Sequence, residues 1–309
     1  MKWQSFTYRV LFFLVPVLLG IVLIEVIVRC IPSSVQVSSH YLEQEKEEIT
    51  TLILGASQNK RAINPEFLTH KTLTVAGTRQ GHKTDYYLLQ DLKPQLPKLK
   101  TIVISSTYRH FESPPNPKNF WKYRSLYHYY GVNAFERPAY FKDELLFLGN
   151  PNFYTQQLKS HYLAKTPFTY NQYGFQTDTI RHRFSKLKYD PERIKETYIP
   201  TYPATDIRYL AYSASWLEKI LAYCEEQQLE VVLALTPVYE SYREVQDVTM
   251  IQRRDSVLNS VQQSYPQLHI LDLEESPVFT VYDYMNENHL NPRGAQKFTK
   301  KLDEFLRKQ

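Results

Sequence analysis

Two cysteines, Cys30 and Cys224, are all that 309 residues contain. Cys224 sits inside a helical pattern far from Cys30, so no disulfide framework exists. Lysine and arginine form no block: the net charge of +5 is spread along the chain, which argues against nucleic-acid binding. The nine histidines and the acidic residues show no paired spacing of the kind that ligates zinc. No internal repeat and no low-complexity tract is present, and no cofactor is expected. Tyrosine, at 25 residues, is abundant instead. Its amphipathic ring suits carbohydrate or protein contact as well as plain packing.

One long apolar run stands apart. Val10–Val28 is interrupted only by Pro16, Gly20 and Glu25, close to the roughly 20 residues a helix needs to cross a bilayer. Lys2 and Arg9 precede it and favour a cytoplasmic N-terminus, with Arg29 on the far side weakening the bias. A cleaved signal peptide is the competing reading. Arg29-Cys30-Ile31-Pro32 departs from a small-x-small cleavage site, and Cys30 follows Ile27-Val28-Arg29 rather than the small residues of a lipoprotein signal. The expectation is a single-pass signal anchor over 1–32 in the cytoplasmic membrane, with everything after it on the periplasmic or extracytoplasmic side. Glu25 falls four residues before Arg29 and predicts an interfacial i,i+4 pair. Residues 33–49, rich in Ser and Glu, predict a linker.

The remaining 50–309 alternates between two periods. Thr51–Leu54, Leu73–Ala76, Thr101–Ser105, Leu229–Leu235 and His269–Leu273 read as short buried strands. Gln80–Leu92, Tyr209–Gln227, Val248–Tyr265 and Pro292–Arg307 read as helices, the second with Leu210, Trp216, Leu217, Ile220 and Leu221 on one face. Strand–helix–strand repetition with apolar strands predicts an α/β fold: a three-layer α/β/α sandwich whose five parallel strands run in the order 2-1-3-4-5. Ligands in such sheets sit at the carboxyl ends of the strands. Between about 108 and 205 the rhythm breaks into proline turns and aromatic clusters, predicting a long insertion folded over the sheet, not an independent domain, that shapes substrate access.

Ser57 ends the run Thr51–Ser57 at the first strand's carboxyl end. It reads either as an ordinary helix N-cap or as a nucleophile. His289 reads either as a loop histidine or as a base on a rigid mount, because Asn291-Pro292-Arg293-Gly294 is a tight turn into the last helix. Arg79 and Arg109 are candidate substrate contacts above the strand ends, with surface solvation as their plain role.

Gly55-Ala56-Ser57 after the first strand, Val75-Ala76-Gly77 after the second, and His289-Leu290-Asn291-Pro292-Arg293-Gly294-Ala295 with Phe298 resemble the SGNH/GDSL hydrolase superfamily. The chain is most similar to the membrane-anchored members that work in envelope polysaccharide or teichoic acid acylation, as Ala62–Phe67 and Thr236-Pro237-Val238 also suggest. The resemblance covers about 50–107 and 229–309. It implies Ser57 as nucleophile, His289 as base, and the Ser57 and Gly77 backbone N–H groups as an oxyanion hole. Three departures stand out. Asn286 replaces the Asp expected three residues before the histidine. Ser105, Ser106 and Thr107 stand where an Asn oxyanion donor is usual, which makes Ser106 a candidate donor. The Asn expected near Gly77 is missing as well.

An amide oxygen can orient an imidazole but cannot stabilise imidazolium as a carboxylate does; in a serine protease the Asp-to-Asn change costs about four orders of magnitude in turnover. Asp283, one turn upstream, is the alternative orienting group. Two functions follow. One is a Ser-His O-acyl (acetyl) transferase or esterase acting on a cell-envelope glycan, fed by a membrane-bound O-acyltransferase partner. The other is a catalytically inactive glycan-binding or scaffolding subunit of a membrane complex.

Overall fold

The computed structural model describes residues 2–165, 168–178, 182–200 and 205–309, with side chains from residue 8 onward except residue 11. Residues 166–167, 179–181 and 201–204 of the expected insertion, and the Lys2 side chain, lie outside the described residues. In chain order the elements are α1 (Lys2–Arg29), α2 (Ser34–Glu45), β1 (Thr51–Ile53), α3 (Ser57–Ala62), β2 (Thr72–Thr74), α4 (His82–Leu92), β3 (Thr101–Ile104), α5 (Tyr123–Tyr130), α6 (Leu146–Gly149) and α7 (Pro151–Leu158). They continue with α8 (Arg183–Lys186), α9 (Pro191–Glu196), α10 (Leu210–Glu226), β4 (Glu230–Leu235), α11 (Glu240–Arg243), α12 (Val248–Ser264), β5 (Leu268–Asp272), β6 (Tyr284–Asn286), β7 (His289–Leu290) and α13 (Pro292–Leu306). The chain divides into two compact units, residues 34–118 with 169–309, and residues 1–33 with 119–168, so 119–168 of the expected insertion groups with α1 instead of belonging to the sheet's unit.

The first unit holds a five-stranded sheet in the order β2-β1-β3-β4-β5. All its pairings are parallel, with Thr51 opposite Thr72 and Thr101, and Val231 opposite Leu268. Strand order and composition both match the expectation for an α/β fold. Parallel strands buried on two faces read as unbroken apolar runs, and these do. Ile53, Val103, Val232 and Ala234 pack with Ala62, Phe298 and Leu302 on one side. Their chain neighbours Leu52, Leu54, Ile102, Ile104 and Leu233 are fully buried on the other.

Where Ser and Glu content predicts a linker, Ser34–Glu45 is a helix with Ser38, Ser39, Tyr41 and Leu42 buried. Two serines satisfy themselves on the preceding turn: the Ser38 hydroxyl donates to the Ser34 carbonyl at 2.9 Å and Ser39 to Gln36 at 2.8 Å. Residues 169–178 close over this helix. Gly174, at φ +77°, packs against Ser34, whose hydroxyl donates to the Gly174 carbonyl at 2.7 Å. Tyr41 and Tyr173 meet edge to face, centroids 4.9 Å apart.

In the second unit, Tyr8–Arg29 of α1 is long and apolar enough to cross a membrane. The contacts of Glu25 run to backbone groups rather than to the expected partner Arg29. Its carboxylate is buried and accepts from the backbone N–H groups of Leu146 (2.9 Å) and Phe147 (2.8 Å), the orphan donors at the start of α6. Arg29 donates to the Glu144 carbonyl at 2.8 Å. Val28, Leu146 and Tyr154 form a small core with Trp121 and Phe147 against it.

Candidate active site

β1 ends at Ile53, and the chain turns sharply through Gly55, whose φ of +104° only glycine adopts without strain. A Cβ there would also collide with the Ser105 hydroxyl. Side chains pin this turn from three directions. Gly55 N–H donates to Asp85 Oδ1 at 2.9 Å, Ala56 N–H to Ser105 Oγ at 3.0 Å, and Asn59 Nδ2 to the Leu54 carbonyl at 2.9 Å. Ala56 occupies the cap of α3 and Ser57 is its first helical residue. The Ser57 hydroxyl is therefore not used as an N-cap, and it points elsewhere.

It meets His289. Ser57 Oγ lies 2.8 Å from His289 Nε2, and His289 Nδ1 lies 3.0 Å from Asn286 Oδ1. The loop expected here is a two-stranded antiparallel hairpin, with Asn286 directly opposite His289 across β6 and β7. Asn286 Oδ1 also accepts from the Asn288 backbone N–H at 3.2 Å. An atom that faces a backbone donor is the amide oxygen, so Nδ1 carries the proton and Nε2 is the free base. Asn291 anchors the hairpin's exit. Its Oδ1 caps α13 through Arg293 N–H (3.0 Å) and Gly294 N–H (3.1 Å), while Nδ2 donates to the Tyr282 and Tyr284 carbonyls.

Asp283 does not orient the histidine. It is fully buried, and its Oδ2 accepts from Thr280 N–H (2.8 Å), Thr280 Oγ1 (3.1 Å) and Lys297 Nζ (2.6 Å), with Arg293 Nε 3.2 Å from Oδ1. It clamps the approach to the hairpin onto α13. Gly77 is corrected too: its N–H donates to the Gly55 carbonyl at 3.0 Å, extending the sheet ladder, and is spent before any oxyanion arrives. The Ser106 hydroxyl, by contrast, is buried and has no hydrogen-bond partner among the described residues. Arg79 is exposed, and its carbonyl takes Asn116 Nδ2 at 2.6 Å. Arg109 donates to the Tyr108 hydroxyl at 3.0 Å and lies against that ring.

The basic residue whose charge reaches His289 is Arg61, half-buried one turn beyond Ser57 on α3. Burial, and secondly the Arg61 charge, push the His289 pKa down to about 4. The ring is thus neutral, in its base form, across the physiological range. The i,i+4 spacing of Ser57 and Arg61 was the available signal for this neighbour. Asp85 is a second residue that sequence alone passes over, because a carboxylate on the apolar face of a helix carries no motif. Burial raises its pKa to about 7, against the hydrogen bonds from Gln80 Nε2 (2.7 Å) and Gly55 N–H. Among the described residues no group of three or more His, Cys, Asp or Glu could hold a metal ion.

No family model matches this chain, and no curated protein does. Among solved structures it is similar to one described as "a putative platelet activating factor from Streptococcus pneumonia", at 11% identity and a TM-score of 0.44, covering 88% of this chain and 91% of that one. So distant a likeness carries no argument, and function rests on this chain's own geometry.

Proposed function

We propose that this chain is a membrane-anchored O-acyltransferase or esterase of the SGNH type, built as a three-layer α/β/α sandwich and acting on a cell-envelope glycan through a Ser57 acyl-enzyme. One observation carries it: Ser57, His289 and Asn286, 232 residues apart at the extremes, form an unbroken hydrogen-bonded line with the neutral base facing the hydroxyl. As Ser57 Oγ attacks an acyl carbonyl, its proton passes to His289 Nε2 and then to the departing alcohol. A glycan hydroxyl, or water, next gives its proton to His289 as it attacks the acyl carbon, and His289 returns that proton to Ser57 Oγ as the Oγ–acyl bond breaks. The Ser57 N–H, in the first turn of α3, is the oxyanion donor, worth about 3 kcal/mol in the transition state; the Ser106 hydroxyl is sealed from solvent and joins it only if the strand end opens.

The anchor reading draws support from Glu25. Cleaving α1 would strip the buried carboxylate that caps α6, so α1 behaves as part of the mature fold rather than as a discarded signal. With α1 crossing the cytoplasmic membrane, the Ser57 domain faces the extracytoplasmic side, where a membrane-bound O-acyltransferase can load it.

Incubating the purified full chain with p-nitrophenyl acetate tests this directly. Rapid acid quenching and peptide mass spectrometry should find an acetyl group on Ser57, absent from Ser57→Ala and strongly reduced in His289→Ala. Unmodified Ser57 with every activated ester tried would remove the enzyme reading. A non-catalytic scaffold is favoured by one observation, that Asn286 and Arg61 leave an imidazolium at 289 uncompensated. In that case Ser57→Ala leaves the cellular role intact.

A further inference from the structure

The unit formed by 1–33 and 119–168 exposes apolar side chains close to the end of the candidate membrane span. Phe141 is 82% exposed, Tyr140 54% and Leu148 45%. Neither Phe141 nor Leu148 is far from α1. Phe141 opens the 3-10 turn Phe141–Glu144, whose last carbonyl holds Arg29; at about 2 Å rise per residue it lies within one turn of that contact. Leu148 follows the two backbone N–H groups that hold Glu25.

Charge fits the same surroundings. Residues 119–168 carry Lys122, Arg124, Arg137, Lys142, Lys159 and Lys165 against three acidic residues, a net +3 by sequence (6 − 3). The lysines interleave with aromatics: Lys142 Nζ is 5.7 Å from the Tyr140 ring centre and Lys122 Nζ 5.4 Å from that of Trp121. Aromatic rings beside basic side chains, at the end of an apolar helix, are the composition of a bilayer interface.

We propose that residues 140–148 lie in the headgroup region of the membrane that α1 crosses, with Phe141 and Leu148 inserted into the upper acyl layer and the lysines on anionic phospholipid. This rests on the reading of α1 as a membrane span. The insertion thus serves as a second, reversible foothold that fixes its own unit at the membrane surface.

Depth-dependent quenching tests the proposal and its premise separately. Full-length Cys30→Ser protein is reconstituted into phosphatidylcholine–phosphatidylglycerol vesicles, with single labelling sites at F141C, L148C or, within the span, L18C, each carrying an environment-sensitive dye. The remaining Cys224 is buried and unlabelled in the folded chain. Quenchers attached to the lipid acyl chains should reduce emission at all three sites, and at 141 and 148 most strongly when placed near the headgroups. Quenching at 18 without quenching at 141 and 148 overturns the proposal while leaving the anchor standing. That outcome assigns the face to water, a second copy or a protein partner. No quenching at 18 removes the anchor and the proposal together. Replacing phosphatidylglycerol by phosphatidylcholine alone should weaken quenching at 141 and 148 but not at 18; equal quenching at 141 and 148 in both compositions overturns the role given to the lysines.

Discussion

In the proposed acyl transfer, Asn286 is the residue on which turnover hangs. Its amide oxygen fixes the His289 tautomer through one hydrogen bond and a backbone N–H steadies that oxygen, yet it offers no charge to imidazolium. Asn286→Asp retains both acceptor geometries and adds that charge, so kcat for a small acyl ester should rise roughly tenfold or more, a part of the penalty an amide carries in serine proteases. Unchanged kcat would show that proton transfer does not limit the step. Arg61 acts on the same ring through its charge. Its cation holds the His289 pKa down, so Arg61→Gln should raise that pKa and move the acid limb of the pH–kcat/KM profile to higher pH. A profile that stays put would place the charge of Arg61 too far away to matter.

At the level of elements, the hairpin β6–β7 and helix α13 act as one mount. A Cβ at Gly294, in the first turn of α13, would run into the Asp283 carbonyl, which itself accepts Asn291 N–H at 2.9 Å. Backbone cannot yield as a flexible side chain does. Gly294→Ala should therefore push the hairpin away from Ser57, lowering kcat/KM about 10²-fold, the scale of effect that a misplacement of about 1 Å brings. The thermal midpoint should fall as well. Wild-type kcat/KM in this variant would mean that the mount tolerates displacement.

Across the whole molecule, buried titratable groups set how stability responds to acid. Desolvation lowers the pKa of His82 and His289 to about 4, and that of His110 well below its usual value. An unfolded chain binds these protons near pH 6.5, so the stability they contribute is present above that pH and is lost as pH falls toward 4. Asp85, raised to about 7, works in the opposite sense: its folded form keeps a proton that the unfolded chain releases above pH 3.8, so its contribution grows as pH falls through 7. Glu274 and Glu287, raised by burial but less far, join Asp85; the histidine shifts outweigh these carboxyls and give a thermal midpoint that drops between pH 6.5 and 4. Asp85→Asn removes its opposing contribution and should steepen the drop; a flat midpoint over that window would contradict the burial of these rings.

The parallel sheet and its order were written locally, because short apolar runs alternating with amphipathic helices admit few other arrangements. The turn at Gly55–Ser57 and the cap at Asn291 were equally local, since glycine and asparagine declare the backbone they serve. Other features belong to the tertiary structure. Asn286 rather than Asp283 faces His289 because a two-residue hairpin register pairs them and Lys297 and Thr280 occupy the carboxylate, contacts no spacing rule encodes. Gly77 loses its N–H to the sheet ladder, which depends on how far β2 runs alongside β1. The polar stretch after α1 becomes a helix because the fold supplies a surface for Tyr41 and Leu42 to bury against, and hydrophobic burial on one face outweighs weak propensity along a polar segment.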